Sequence, residues 1–264
     1  MNDIGWKNYK HVISLGYFCS VALELEKIGL RNASYPFDWC ISDLSGIFEA
    51  IENDFSEYLD LKYMSQYKPY MHIFRNDKYN IEFYHDFSAY QPLENQISFV
   101  REKYSRRIAR FYHDIKEPTL FVRYINDKKD DNGYFKELKW IEENKNKIDK
   151  LIKSFCENNE IIYIGNSCLT SEVIDIFTVE KDANDSVARE PLEKNKELKC
   201  FLESIYCPNK ENNIEIKTEA LPAKKVSDSE THQLHVVIHP DINGFGRLFG
   251  GRLLEWIDEV AGAT

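Results

Sequence analysis

Cys19 is the side chain whose sequence context best equips it for chemistry. It lies in the stretch HVISLGYFCSVALELEKIGLRNASYPFD, His11 to Asp38. Val12, Ile13 and Leu15 predict a short buried strand. Gly16 permits a turn, and Val21, Leu25 and Ile28 recur at helical spacing until Gly29 ends the helix. Cys19 therefore falls at or beside a helix N-terminus. Unpaired N–H groups and the positive end of the helix dipole favour thiolate there, and lower a thiol pKa from ~8.5 by one to several units. A thiolate can attack a carbonyl carbon, with a histidine to shuttle the proton and a carboxylate or amide to orient the imidazole. The competing reading is packing, because buried cysteines are common in cores. Cys168 follows Gly165 much as Cys19 follows Gly16, so position after a strand does not by itself single out Cys19.

The elements that would carry these groups follow an α/β order. A turn or extended piece at Ser34 to Trp39 leads to a second helix from Ser42 to about Asn53, with Ser42 as its N-cap. Tyr70 to Arg75 and Ile81 to Phe87 flank RNDKYN and predict a β-hairpin carrying His72 and His85. Leu93, Ile97, Val100, Tyr104, Ile108 and Phe111 form the apolar stripe of a helix of about 18 residues, bounded by Pro118. Leu120 to Tyr124 and Ile161 to Gly165 read as buried strands, and Leu138, Ile141, Ile148, Leu151, Ile152 and Phe155 mark the helix between them. Asp182 to Leu202 closes the domain as a surface helix. The expectation is a three-layer α/β domain with a mostly parallel sheet over residues 1–207, a more segregated α+β arrangement being the alternative. PNKENN, residues 208–213, is a linker. Arg123, at the end of a strand of such a sheet, is a candidate partner for an anionic ligand group, or else one half of an ion pair.

Composition narrows the function. A chain of 264 residues with 43% hydrophobic and 30% charged content can bury a sizeable core. The net charge of -10 argues against a nucleic-acid binder, although Arg101, Lys103, Arg106, Arg107 and Arg110 cluster on one predicted helix, where they read as a solvated face. No run of 18 apolar residues occurs, and MNDIGWKNYK lacks the apolar core of a signal peptide, so a cytoplasmic protein without a membrane segment is expected. Six cysteines without a C-x-x-C pair support neither a zinc site nor a disulfide framework. No glycine-rich phosphate loop appears and no cofactor is expected.

Taken in order, ISLGYFCSVALELEKIGLRNASYPFDW, YHDF at Tyr84 to Phe87, KYSRRIARF at Lys103 to Phe111 and LFVRY at Leu120 to Tyr124 resemble a little-studied bacterial family of papain-like cysteine peptidases. The resemblance spans about residues 8–207. It implies a cysteine-dependent hydrolase acting on an acyl, amide or peptide substrate, with Cys19 as nucleophile and His85, in the YHDF motif, as base. Asp38 or Asp86 would orient the imidazole. Neighbours on a strand point to opposite faces, which favours Asp38 over Asp86. His72, His113 and His11 read as structural or solvated positions.

From residue 214 the character changes. HVVIHPDINGFGRLFGGRLLEWIDEVAGAT resembles the beginning of a hotdog-fold acyl-coenzyme A thioesterase, with its strand, glycine-rich turn and central helix. That resemblance implies a coenzyme A thioester as ligand and makes the backbone N–H groups at Gly250 and Gly251 oxyanion donors. Arg247 stands where many relatives carry Asp or Asn, leaving Asn243, Asp258 and Glu259 as candidates for the acid–base role. The strands that would wrap the helix are not among the 264 residues. A truncated segment over 214–264 is therefore expected, without thioesterase activity of its own and self-associating through Leu253, Leu254, Trp256, Ile257 and Val260. Three functions compete: cysteine hydrolysis, thioester hydrolysis, and ligand binding or glycan modification without a covalent cysteine step.

Overall fold

The computed structural model describes residues 9–67, 73–181, 185 and 187–205, all within the first of two compact units, Met1–Ile214. Along the chain run β1 (His11–Ser14), α1 (Cys19–Lys27), β2 (Cys40–Ser42), α2 (Leu44–Glu52), β3 (Met64–Gln66), β4 (Phe74–Asn76), β5 (Ile81–Phe83) and α3 (Leu93–Asp114). β6 (Thr119–Ile125), α4 (Lys136–Phe155), β7 (Glu160–Asn166), β8 (Ile176–Val179), α5 (Pro191–Lys194) and α6 (Lys196–Ser204) complete them.

The expected parallel sheet is present in the order β1-β6-β7-β8. All seven residues of β6 are buried, as a β-branched and aromatic strand covered on both faces requires. Alternation sorts them: Leu120, Val122 and Tyr124 meet Val21 and Leu25 of α1 and Leu198 and Leu202 of α6, whereas Phe121 and Ile125 join Phe111 of α3 and Ile141 and Ile148 of α4. Helix, sheet and helix thus form three layers, and the domain is α/β.

A second, antiparallel sheet in the order β2-β5-β4-β3 was not expected beyond its central hairpin. Cys40, Phe83 and Phe74 share its inner face and enter the same core as α2 and α3. β2 and β3 span three residues each, too few to display a period of two. Ser42 also departs from expectation: it closes β2 instead of capping α2, and Asp43 takes the N-cap position. The Asp43 carboxylate is drawn to Asn80 and Asn126, so the first N–H of α2, at Leu44, goes instead to Glu137 at 3.0 Å.

α3 is 22 residues long and buries Ile97, Val100, Tyr104 and Phe111, with Ile108 partly covered. Phe111 lies 5.9 Å from the Phe37 ring and 6.3 Å from that of Phe121, tying α3 to both the 36–39 turn and the parallel sheet. Phe111→Ala should lower the unfolding free energy by about 3 to 5 kcal/mol, read from urea denaturation; an unshifted midpoint would mean that α3 is not part of the core. Among the described residues no helix is long and apolar enough to cross a membrane.

Candidate active site

The carboxyl end of the parallel sheet is where α/β domains place ligands, and here it is built around the passage from β1 to α1. The chain continues pairing past β1: Leu15 N–H donates to Val122 O at 2.9 Å, and Gly16 O accepts from Tyr124 N–H at 3.2 Å. Gly16 takes φ +78°, and a Cβ there would stand 3.0 Å from Ser42 Oγ and 3.3 Å from Arg123 Nη1. Only glycine fits both that conformation and that close crossing. Tyr17 O then accepts from Ser42 N–H at 3.2 Å, joining this turn to the antiparallel sheet.

Cys19 is the first residue of α1, half-buried, and Phe18 at the N-cap supplies no side-chain cap to the first turn. Burial pushes the Cys19 thiol up, only partly offset by the hydrogen bond to its own backbone N–H. The expected depressed pKa is thus corrected: no cationic side chain offsets the burial. Just before it in the chain, Tyr17 and Phe18 form a cluster of rings with Tyr124, Phe18 standing edge-on to Tyr124 at 5.2 Å. Lys128 Nζ lies 5.4 Å over the Tyr17 ring. Burial opposes its charge, but Tyr17 and the carboxylates of Asp43 and Glu82 outweigh that and raise its pKa. Burial in turn raises Glu82, against the pull of Lys128 and Arg75. Cys168 stands exposed beyond β7. On the far side of the same edge Asp127 is held by Asn166 and Lys181.

His85 is placed elsewhere. It is exposed just past β5, with the Trp39 ring edge-on at 6.1 Å and the Tyr84 ring at 5.4 Å. Ser42, which bonds Tyr17, pairs with Ile81, and His85 stands two residues past the end of β5 at Phe83. Phe83 of β5 enters the core on the α3 and α4 side of the parallel sheet, while Ile41 of the neighbouring β2 packs on the α1 side. Cys19 thus stands at the head of α1 and His85 beyond the end of β5.

The carboxylates expected to serve His85 are committed as well. Asp38 is fully buried: Arg31 Nε donates to Oδ2 at 3.0 Å and Tyr35 N–H at 2.8 Å. Burial pushes its carboxyl up to about 6, with Arg31 and the Tyr35 amide pulling the other way. Asp86 accepts from Lys103 and from Tyr104 Oη. What gathers around Trp39 is therefore an ionic and aromatic cluster, with the Arg31 guanidinium 5.6 Å from its ring. His11 reaches Glu117, and His113 reaches Asp114; His72, Gly250 and Gly251, like all of 214–264, lie outside the described residues.

Arg123 also needs correction. It is fully buried, donates to Leu15 O and Ser42 O at 2.6 Å each, and its Nε meets Glu137 at 2.8 Å, so it is a structural tie and not an open anion site. Glu137, Tyr17, Lys128 and Glu82 went unnoticed in the sequence. For Glu137 a signal existed: it stands on the α4 stripe, four residues before Ile141 and eleven before Ile148, where a carboxylate must find a buried partner. Among the described residues no three His, Cys, Asp or Glu side chains gather as metal ligands would.

Fold and site together define a three-layer α/β domain that presents a thiol at the carboxyl end of its parallel sheet. A family model described as "putative papain-like cysteine peptidase" matches residues 10–155, more than half of the chain, and the chain belongs to that family. The match takes in Cys19, Asp38, His85 and Arg123 and stops short of the C-terminal segment. The chain is also similar to an uncharacterized protein of Acanthamoeba polyphaga mimivirus, 30% identical over 171 residues that cover 57% of this chain and 73% of that protein. No solved structure matches it.

Proposed function

We propose that this protein is a cysteine-dependent hydrolase in which Cys19 is the nucleophile. One observation carries the reading: the thiol opens α1 directly behind the carboxyl end of β1, beside first-turn N–H groups that no side chain caps. In the reaction the sulfur bonds the carbonyl carbon of an acyl, amide or peptide substrate, and the first-turn N–H groups of α1 stabilise the developing oxyanion. The C–N or C–O bond breaks, the leaving group takes up a proton, and water cleaves the resulting thioester to free Cys19. Tyr17 and Lys128 border the site and suit a substrate with a polar group beside its carbonyl.

Because burial raises the thiol pKa, deprotonation limits the attack. The test is alkylation by a peptide carrying a chloromethyl ketone, with the labelled residue located by mass spectrometry. Label should enter Cys19 ahead of the exposed Cys168, although Cys168 is the more accessible thiol, because only Cys19 has the α1 amides to hold the ketone oxygen. The labelling rate should climb with pH past the ordinary thiol range, above about 8.5. Preferential labelling of Cys168 would overturn this assignment, and a Cys19 rate that levels off near neutrality would overturn only the raised thiol pKa.

A further inference from the structure

A cavity of about 320 Å³ opens between residues 55–60 and α3. It lies on the core side of the parallel sheet opposite α1 and is independent of the reading of Cys19. Its apolar wall is Phe55, Leu59 and Ile108, with Tyr104 beside them; its charged groups are Asp60 and Arg101.

The two charges line one cavity without meeting. Arg101 Nε donates to Leu59 O at 3.0 Å, which fixes the guanidinium plane. The two terminal nitrogens of Arg101 enter no ion pair or hydrogen bond among the described residues. Asp60 accepts from Lys62 N–H at 3.0 Å through Oδ1, leaving Oδ2 without a partner among the described residues. A simple anion drawn to Arg101 would be opposed by Asp60, and a simple cation drawn to Asp60 would be opposed by Arg101. A ligand bearing both charges on adjacent atoms satisfies each at once and bridges a gap too wide for a direct ion pair. An arginine fork matches a carboxylate in two parallel hydrogen bonds.

We propose that this cavity binds a free α-amino acid with an apolar side chain. The α-carboxylate lies on Arg101, the α-ammonium on Asp60, and the side chain against Phe55, Leu59 and Ile108. Arg101 is exposed and Asp60 half-buried, so the site discriminates by pairing both charges at once rather than by burying them.

Titration calorimetry on the full chain tests this with three probes: L-leucine, N-acetyl-L-leucine, which lacks the cation, and L-leucinamide, which lacks the carboxylate. Leucine should bind, and each blocked analogue should bind at least about tenfold more weakly. Arg101→Gln should abolish the preference for leucine over leucinamide, and Asp60→Asn the preference over acetyl-leucine. The comparison of analogues on the unaltered protein stands even where a variant fails to fold. Absence of leucine binding at millimolar concentration, equal binding of the three probes, or variants that keep the wild-type discrimination would each overturn the proposal.

Discussion

Cys19→Ala should reduce hydrolysis to the background rate, whereas His85→Ala should leave kcat/KM nearly unchanged. The first follows from the covalent step, since without the sulfur no thioester intermediate forms. The second follows from position: His85 lies past the end of β5 beside the Trp39 and Tyr84 rings, whereas Cys19 opens α1. A true general base contributes about 10² to 10⁴ in rate, so the two outcomes for His85→Ala are well separated. A loss of a hundredfold or more would show that the domain rearranges to pair the two residues during turnover. Retention of activity in Cys19→Ala would remove the nucleophile assignment outright. Cys168→Ala serves as the control for the second thiol at this sheet edge and should leave the rate unchanged.

The largest stability effect is expected at Glu137. Its carboxylate is fully buried and accepts from the backbone N–H of Leu44 and of Asn126 and from Arg123, which is itself fully buried. Arg123 in turn donates to Leu15 O on the parallel sheet and to Ser42 O on the antiparallel one. One ion pair thus ties β1, β2, β6, α2 and α4 together. Glu137→Ala leaves an uncompensated buried guanidinium and should cost about 3 to 5 kcal/mol, read from the urea midpoint. Replacing a buried pair with apolar residues is often neutral, but here Arg123→Met with Glu137→Leu should stay well below wild type. The pair also serves four backbone groups, and each one stranded costs about 1 to 3 kcal/mol. A double variant as stable as wild type would mean that those backbone groups find other partners, and a Glu137→Ala change under about 1 kcal/mol would show that Arg123 rotates to solvent.

Part of this was legible in the residues. The strand at Leu120 to Tyr124, the stripe of α3, the α4 stripe and the cysteine at the head of α1 follow from local periodicity, and periodicity is a property of consecutive residues. The Tyr35–Trp39 turn and the centre of the hairpin at Asp77 to Asn80 follow from turn-prone side chains for the same reason. Four things belonged to the tertiary structure. β2 and β3 exist because neighbouring strands pair with them, not because three residues announce a strand. Arg123 becomes a structural tie because Glu137 of a later helix comes to meet it. The Cys19 thiol is pushed up because burial outweighs its backbone hydrogen bond, and burial depends on which elements close over it. His85 and Asp38 take the Trp39 ring, Arg31 and the Tyr35 amide as neighbours because β5 and the 36–39 turn bring them there. A motif order along the chain carries no information about which face each motif will choose; that is decided by which apolar stripes must be buried, and against what.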